Sequence, residues 1–189
     1  GNNCIIGKNV TIYEGTIIGD NVRIDDNVVI GKLPMKAATS AITKDKELSP
    51  TKIGDGCIIG TNAVIYRGAS ISNNCLVADL ATIREDVTIG QKTIVGRNVA
   101  IENNCTIGSY CKLETNCYIT AHSTLEDNVF VAPGVLTSND AFAGRTKERF
   151  NNFKGVIARK AARIGVGAII LPGVELGEDC MVGAGAVVT

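Results

Sequence analysis

Over most of this chain every sixth residue is a bulky aliphatic. The column runs Ile6, Ile12, Ile18, Ile24 and Ile30, then resumes at Ile53 and continues through Ile59, Ile65, Ile71, Val77, Ile83, Ile89, Val95, Ile101, Ile107, Leu113, Ile119, Leu125 and Val131. After a second break beyond Thr137 it returns at Ile164, Ile170, Leu176, Val182 and Val188. Two residues before each aliphatic stands a small or β-branched residue, and all seven cysteines (Cys4, Cys57, Cys75, Cys105, Cys111, Cys117, Cys180) occupy that place. They read as compact inward filler rather than as nucleophiles or ligands. Three residues after the aliphatic comes Gly, Asn or Asp in most repeats, residues that tolerate the left-handed backbone of a tight corner. Short strands joined by such corners wind a coil of three six-residue sides.

Composition agrees. The chain has no Trp, four Phe, four Tyr and 21 Gly, and its apolar set is dominated by Ile and Val, which suits a regular β architecture. Nineteen basic and nineteen acidic side chains cancel, so the whole molecule offers no general attraction to nucleic acid or to an anionic membrane. Any anionic ligand must be met locally. No stretch approaches the roughly 18 apolar residues of a membrane span, and no signal segment opens the chain, so a cytoplasmic protein is expected. Cysteines in odd number and without a C-x-x-C pair argue against a disulfide framework or a zinc knuckle, and no metal is expected.

Residues 18 apart stack in such a coil, with neighbouring turns about 4.8 Å apart. Taking residues 12, 30, 65, 83, 101, 119, 137 and 176 as one column, the corners after it are chemically rich. They place Asp86, Asn104, His122 and Asp140 at one position, and Arg84, Glu102, Thr120 and Ser138 at another. The corner after 18, 53, 71, 89, 107, 125, 164 and 182 opens mostly with Gly and reads as scaffolding. Both interruptions leave from the rich corner, and loops on a rigid scaffold are where function concentrates. Asp86 and Asn104 also read as plain turn residues. His122, the one histidine, would cost roughly 1 kcal/mol at positive φ. Yet Leu80, Lys92 and Tyr110 occupy equivalent turns, so the departure alone does not make it functional.

The aliphatic-Gly repeat with its small residue two places earlier strongly resembles the hexapeptide repeat of the left-handed parallel β-helix. That resemblance implies an all-β fold of about eight coils, one domain over residues 1–189, with insertions at 31–52 and 138–163. The loop SNDAFAGRTKERFNNFKGVIARKAAR, preceded by FVAPGVLT and followed by RIGVGAIILPGVELGEDCMVGAGAVVT, resembles acyltransferases that modify amino sugars carried on UDP or dTDP, including 3-amino-3,6-dideoxyhexoses and 3-amino-glucuronates. The likeness is best over 118–189. It implies an acyl-CoA-dependent N-acyltransferase, with acetyl-CoA or another acyl-CoA as co-substrate and a nucleotide-linked amino sugar as acceptor. An Asn/Asp pair and a His facing the sugar would be Asn139, Asp140 and His122. The thioester channel would lie near Gly167, Ala168, Gly185 and Ala186.

An ammonium cannot attack a thioester, so the amine must be neutral in the transition state, and a nearby base can take its proton. Histidine, with an ordinary pKa of about 6.5, suits that work. Glu102 or Asp140 would orient the imidazole or the amine, and backbone N–H groups of the Gly-rich coils would stabilise the oxyanion. The departing thiolate can also accept the proton, leaving His122 to position substrate. Asn139, Asn104, Asp86, Arg84 and Arg145 are the acceptor-binding candidates; Lys160 and Arg163 join the acyl-CoA set as phosphate partners. A thin core predicts a homotrimer with active sites between subunits. Two alternatives stand beside this reading: O-acetyl transfer to a hydroxyl, and a non-catalytic β-helix scaffold of the ice-binding kind, against which the absence of regular Thr ladders counts.

Overall fold

The computed structural model describes residues 1–39 and 47–189. The middle of the first insertion, residues 40–46, lies outside the described residues. The rest forms a left-handed parallel β-solenoid, a prism of three flat faces. Each side of a coil contributes a strand of mostly two residues, and every strand pairs in parallel with the strand one coil on. The first face begins at Ile5–Ile6, paired with Arg23 and Ile24; the second at Thr11–Ile12, paired with Val29 and Ile30; the third at Ile17–Ile18, paired with Lys52 and Ile53. Among the described residues the first two faces carry nine strands each and the third carries eight, more coils than the repeat count suggested.

The second residue of each strand points inward. Ile24, Ile30, Ile59, Ile65, Ile83, Ile101, Leu113 and Ile119 are all fully buried, and each such side chain stabilises the fold by roughly 1.5–3 kcal/mol. The filler column stands beside them: Cys57, Cys75, Cys105, Cys111 and Cys117 are buried free thiols. The sulfhydryls of Cys57, Cys75, Cys105 and Cys111 each donate to the carbonyl of the residue fifteen positions on, at 3.1 Å. Burial pushes the Cys105 and Cys117 thiols up to about 12, the chemistry of packing rather than of attack. At the corners Asn9, Asn21, Asn62, Leu80, Lys92, Asn98, Tyr110 and Asn128 all take positive φ.

Three expectations need correction. The first insertion is shorter than 31–52, because Gly31 and Lys32 extend the strand Val29–Lys32, Lys32 pairing with Tyr66, and Lys52 opens the next strand. The second ends well before residue 163. Strand Ile157–Ala158 returns to the third face, Leu125 pairing with Ala158, so the aliphatic slot there holds an alanine and the repeat is invisible in sequence. That shift moves every later coil: Ile164 and Val182 belong to the first face, Leu176 to the third, and Ile170 and Val188 to the second. The rich corner therefore ends in 171–173, not in 177–179. Third, a regular hydroxyl ladder does exist: Ser70, Thr88, Thr106 and Thr124 stand in register on the third face.

Candidate active site

The corner between the second and third faces is built from 13–15, 66–68, 84–86, 102–104, 120–122 and 171–173. Its last position takes positive φ at Gly15, Gly68, Asp86, Asn104, His122 and Gly173. His122, at φ 66°, is exposed, and its backbone N–H donates to the Asn103 carbonyl at 3.1 Å. In the central coils its middle position is not a solvent ladder, although Glu14 in the first coil is exposed. Glu85, Asn103, Ala121 and Asn139 are all buried there, one above another.

Charge concentrates in the lower coils. Arg84 grips Glu85 with two hydrogen bonds, 2.8 Å from Nε and 3.0 Å from Nη2, and reaches Glu102 at 3.3 Å. Its guanidinium also lies over the Tyr66 ring, 5.0 Å from the centroid, beside Lys32 at 5.4 Å. Burial raises the Glu102 carboxyl above the ordinary range, Arg84 opposes that rise, and the negative Glu85 adds to it. Tyr118, outward on the second face, is also raised, first by burial and then by the charge of Glu102, while a hydrogen bond with Thr120 works the other way. Arg84, Glu102, Glu85, Tyr66 and Tyr118 thus form one polar wall below His122.

Above His122 the coil opens. Thr137 sits in an aliphatic slot, where its hydroxyl accepts from the Thr120 N–H at 2.7 Å and donates to the Tyr118 carbonyl at 3.0 Å. The chain then leaves the prism at Ser138 and Asn139. It returns through Lys154, whose N–H donates to the Asn139 carbonyl at 3.1 Å, and Val156, whose N–H meets the Ser123 hydroxyl at 3.1 Å. Gly155 passes so close to His122 that a Cβ would collide with the His122 carbonyl, so only glycine fits. Asn139 is 8% exposed, and its side-chain Nδ2 is buried without a hydrogen-bond partner among the described residues.

Asp140 does not stack on His122 as the ladder predicted. It does not take positive φ; instead it anchors the loop. Its carboxylate accepts from the N–H groups of Phe142 at 2.9 Å and Gly144 at 3.0 Å and from Arg149 at 2.7 Å. Burial would raise its pKa, but Arg149 and those two amides outweigh that and hold it below the usual range. Arg145 is exposed in the same loop. The structure therefore brings Arg84, Asp86, Glu102, Asn104, His122 and Asn139 to one corner, with Asp140 and Arg145 in the loop above.

The acyl-CoA set lies elsewhere in the chain. Gly167 and Gly185 stand at positive φ on the corner between the first and second faces, in open space. Ala168 is fully buried and Ala186 packs on the core, so neither lines an outer wall. Lys160 lies at the remaining corner and Arg163 on the first face. Arg163 borders an apolar cleft of about 490 Å³ lined also by Phe130, Ala132, Ile164, Val166, Met181 and Ala184. Sequence reasoning missed Glu85, Asn103, Tyr66 and Tyr118. The 18-residue stacking that found Arg84 and Glu102 also aligns them, but burial of the middle corner position has no signature in residue type.

The family model described as GMPPB C-terminal domain matches residues 1–94 and 41–131, together more than half of the chain. The chain belongs to the GMPPB C-terminal domain family. The last coils, residues 159–189, match the model described as bacterial transferase hexapeptide (six repeats). None of the curated proteins matches the chain in sequence. Solved structures of similar fold include the UDP-N-acetylglucosamine acyltransferase of Arabidopsis, 18% identical over 96% of this chain and 67% of that one, TM-score 0.50. The corresponding enzyme from Bacteroides fragilis is 21% identical over 89% of this chain and 65% of its own, TM-score 0.46. The acetyltransferase domain of PglB from Neisseria gonorrhoeae is 8% identical over 92% and 54%, TM-score 0.38. The chain thus spans 65% of the length of the Bacteroides protein and 54% of the Neisseria one.

Proposed function

We propose that this chain is an acyl-CoA-dependent N-acyltransferase acting on the amine of a nucleotide-linked amino sugar. The observation that carries the reading is Asn139: a carboxamide N–H buried without a partner among the described residues, where the second loop leaves the coil above His122. An unsatisfied buried donor costs about 1–3 kcal/mol, and such a cost is retained where a ligand repays it. Arg84, Asp86, Glu102 and Asn104 supply the rest of the acceptor side.

In the reaction the amine nitrogen attacks the thioester carbonyl, an N–C bond forms, the C–S bond breaks and the CoA thiolate leaves. His122 takes the amine proton, which an imidazole near neutral pH does well. Glu102, whose carboxyl burial raises above the ordinary range, accepts a hydrogen bond from the incoming amine. Asp140 acts indirectly, through the loop it folds. Gly167, Gly185, Lys160 and Arg163 serve the acyl-CoA of a neighbouring copy in a homotrimer, and the protein works in the cytoplasm.

A second reading has a specific observation behind it. The model that matches most of the chain is that of a C-terminal domain, which fits a prism carried within a longer protein, and there a non-catalytic scaffold is the second reading. Mass spectrometry of products from a panel of UDP- and dTDP-linked amino sugars and hydroxyl sugars with several acyl-CoAs separates the cases. An amide product that falls at least 100-fold with His122→Ala and with Asn139→Ala supports the reading, by the usual weight of a general base or a transition-state donor. An ester product turns it to O-acyl transfer, and full activity in both variants removes the site.

A further inference from the structure

The loop over 140–154 is ordered from within, by the bonds Asp140 accepts from Phe142, Gly144 and Arg149. Its 3-10 turn Lys147–Asn151 has no buried residue, and Phe150 is 49% exposed. Arg149 holds the segment together: one side of its guanidinium is fixed to Asp140 at 2.7 Å, and it stands 5.0 Å from the Phe150 ring centroid and 5.8 Å from that of Phe153. The two rings lie 6.4 Å apart at 41°. In the same loop Arg145, Lys147 and Lys154 have no ion-pair partner among the described residues, and they outnumber the one exposed acid of the turn, Glu148. A molecule of zero net charge therefore carries a local excess of cations on the segment that presents two aromatic rings, a segment tied at its base to Asn139.

Aromatic faces stack on bases, and free Arg and Lys meet phosphate oxygens. We infer that Phe150 and Phe153, backed by Arg149, form a platform for the base of a nucleoside diphosphate whose phosphates meet Arg145 and Lys147. The inference rests on the proposed reading and deepens it. Both the sugar nucleotide and the ADP portion of CoA carry this chemistry, and the ring pair by itself accepts either. Arg149, already paired with Asp140, shapes the platform and does not serve as the phosphate partner.

The test is calorimetric titration of the full chain with UDP, dTDP and CoA, for the unaltered protein and for Phe150→Ala and Phe150→Tyr. Because the turn has no buried residue, neither variant should shift the unfolding midpoint. The expected result is at least about tenfold weaker binding of UDP or dTDP, or of CoA, with Phe150→Ala, and near-full affinity with Phe150→Tyr. The ligand that weakens identifies the source. Inorganic pyrophosphate should bind equally to all three proteins and more weakly with Lys147→Ala. Equal nucleotide affinity in Phe150→Ala overturns the platform while leaving acyl transfer to stand on its own assay. A change of sedimentation with Phe150→Ala makes the ring an interface between copies and also overturns it. If the unaltered protein binds none of the three ligands and transfers no acyl group, the platform and the reading beneath it fall together.

Discussion

Asn139 and Glu85 occupy the same corner position and are both buried, but the fold treats them in opposite ways. Glu85 is 4% exposed and gripped by both nitrogen arms of Arg84, whereas the Asn139 amide is left with a donor unspent. Removing one member of a buried ion pair strands the other's charge. Arg84→Met should therefore destabilise the chain by about 3 kcal/mol in urea unfolding, and adding Glu85→Met should recover much of that loss. If the single substitution is silent, water already solvates Glu85. Asn139→Ala removes no satisfied side-chain hydrogen bond at Nδ2, so its stability cost should be small beside its effect on acyl transfer. That contrast is what separates a residue kept for a ligand from one kept for the fold.

At the scale of the element, Asp140 and Arg149 organise the loop together, the carboxylate meeting two loop amides and the guanidinium two rings. The Asp140 pKa is lowered in the folded chain, so its contribution is fully present above the unfolded value and is lost as pH falls through the lower folded one. Protection of the amides over 141–149, taken relative to their intrinsic exchange at each pH, should therefore be high at neutral pH and be lost as pH falls through the lowered Asp140 value, and Asp140→Asn should give the unprotected pattern at all pH values with the coils unaffected. Slow exchange in that variant would show that Arg149 stacking on the phenylalanines suffices. The loop's existence was legible in the broken repeat, but its end was not. Hexapeptides announce themselves through the aliphatic slot, and at Ala158 that slot holds a methyl group, so the phase slipped and Leu176 was assigned to the wrong face. Asp140 was misplaced for a related reason: stacking by 18 holds only while the chain stays on the coil, and it leaves there. His122, Asn104 and Asp86 are still on the coil, and the same arithmetic placed them correctly.

For the whole molecule, the candidate residues are spread over all three corners, which one chain does not bring together. His122 and Asn139 stand between the second and third faces, whereas Gly167 and Gly185 stand between the first and second and Arg163 lies on the first face. Outward residues near that other corner are apolar and bare: Leu136 is 48% exposed, Val166 56%, Met181 72% and Val187 59%. Burying a side chain of this size gains roughly 1.5–3 kcal/mol, so packing copies against one another along this edge is favourable. It would also carry the first corner of one chain to the second corner of the next, as a closed ring of copies requires. A homotrimer should appear in sedimentation, and Leu136→Glu with Val187→Glu should dissociate it and abolish transfer. Subunit mixing gives the sharper measurement. His122→Ala and Arg163→Glu should each be inactive alone, yet co-refolded together they should regain part of the activity, because some sites then combine an intact His122 with an intact Arg163 from another chain. Chains that each held a whole site would gain nothing from mixing, and a stable, active monomer would place acceptor and donor on one prism.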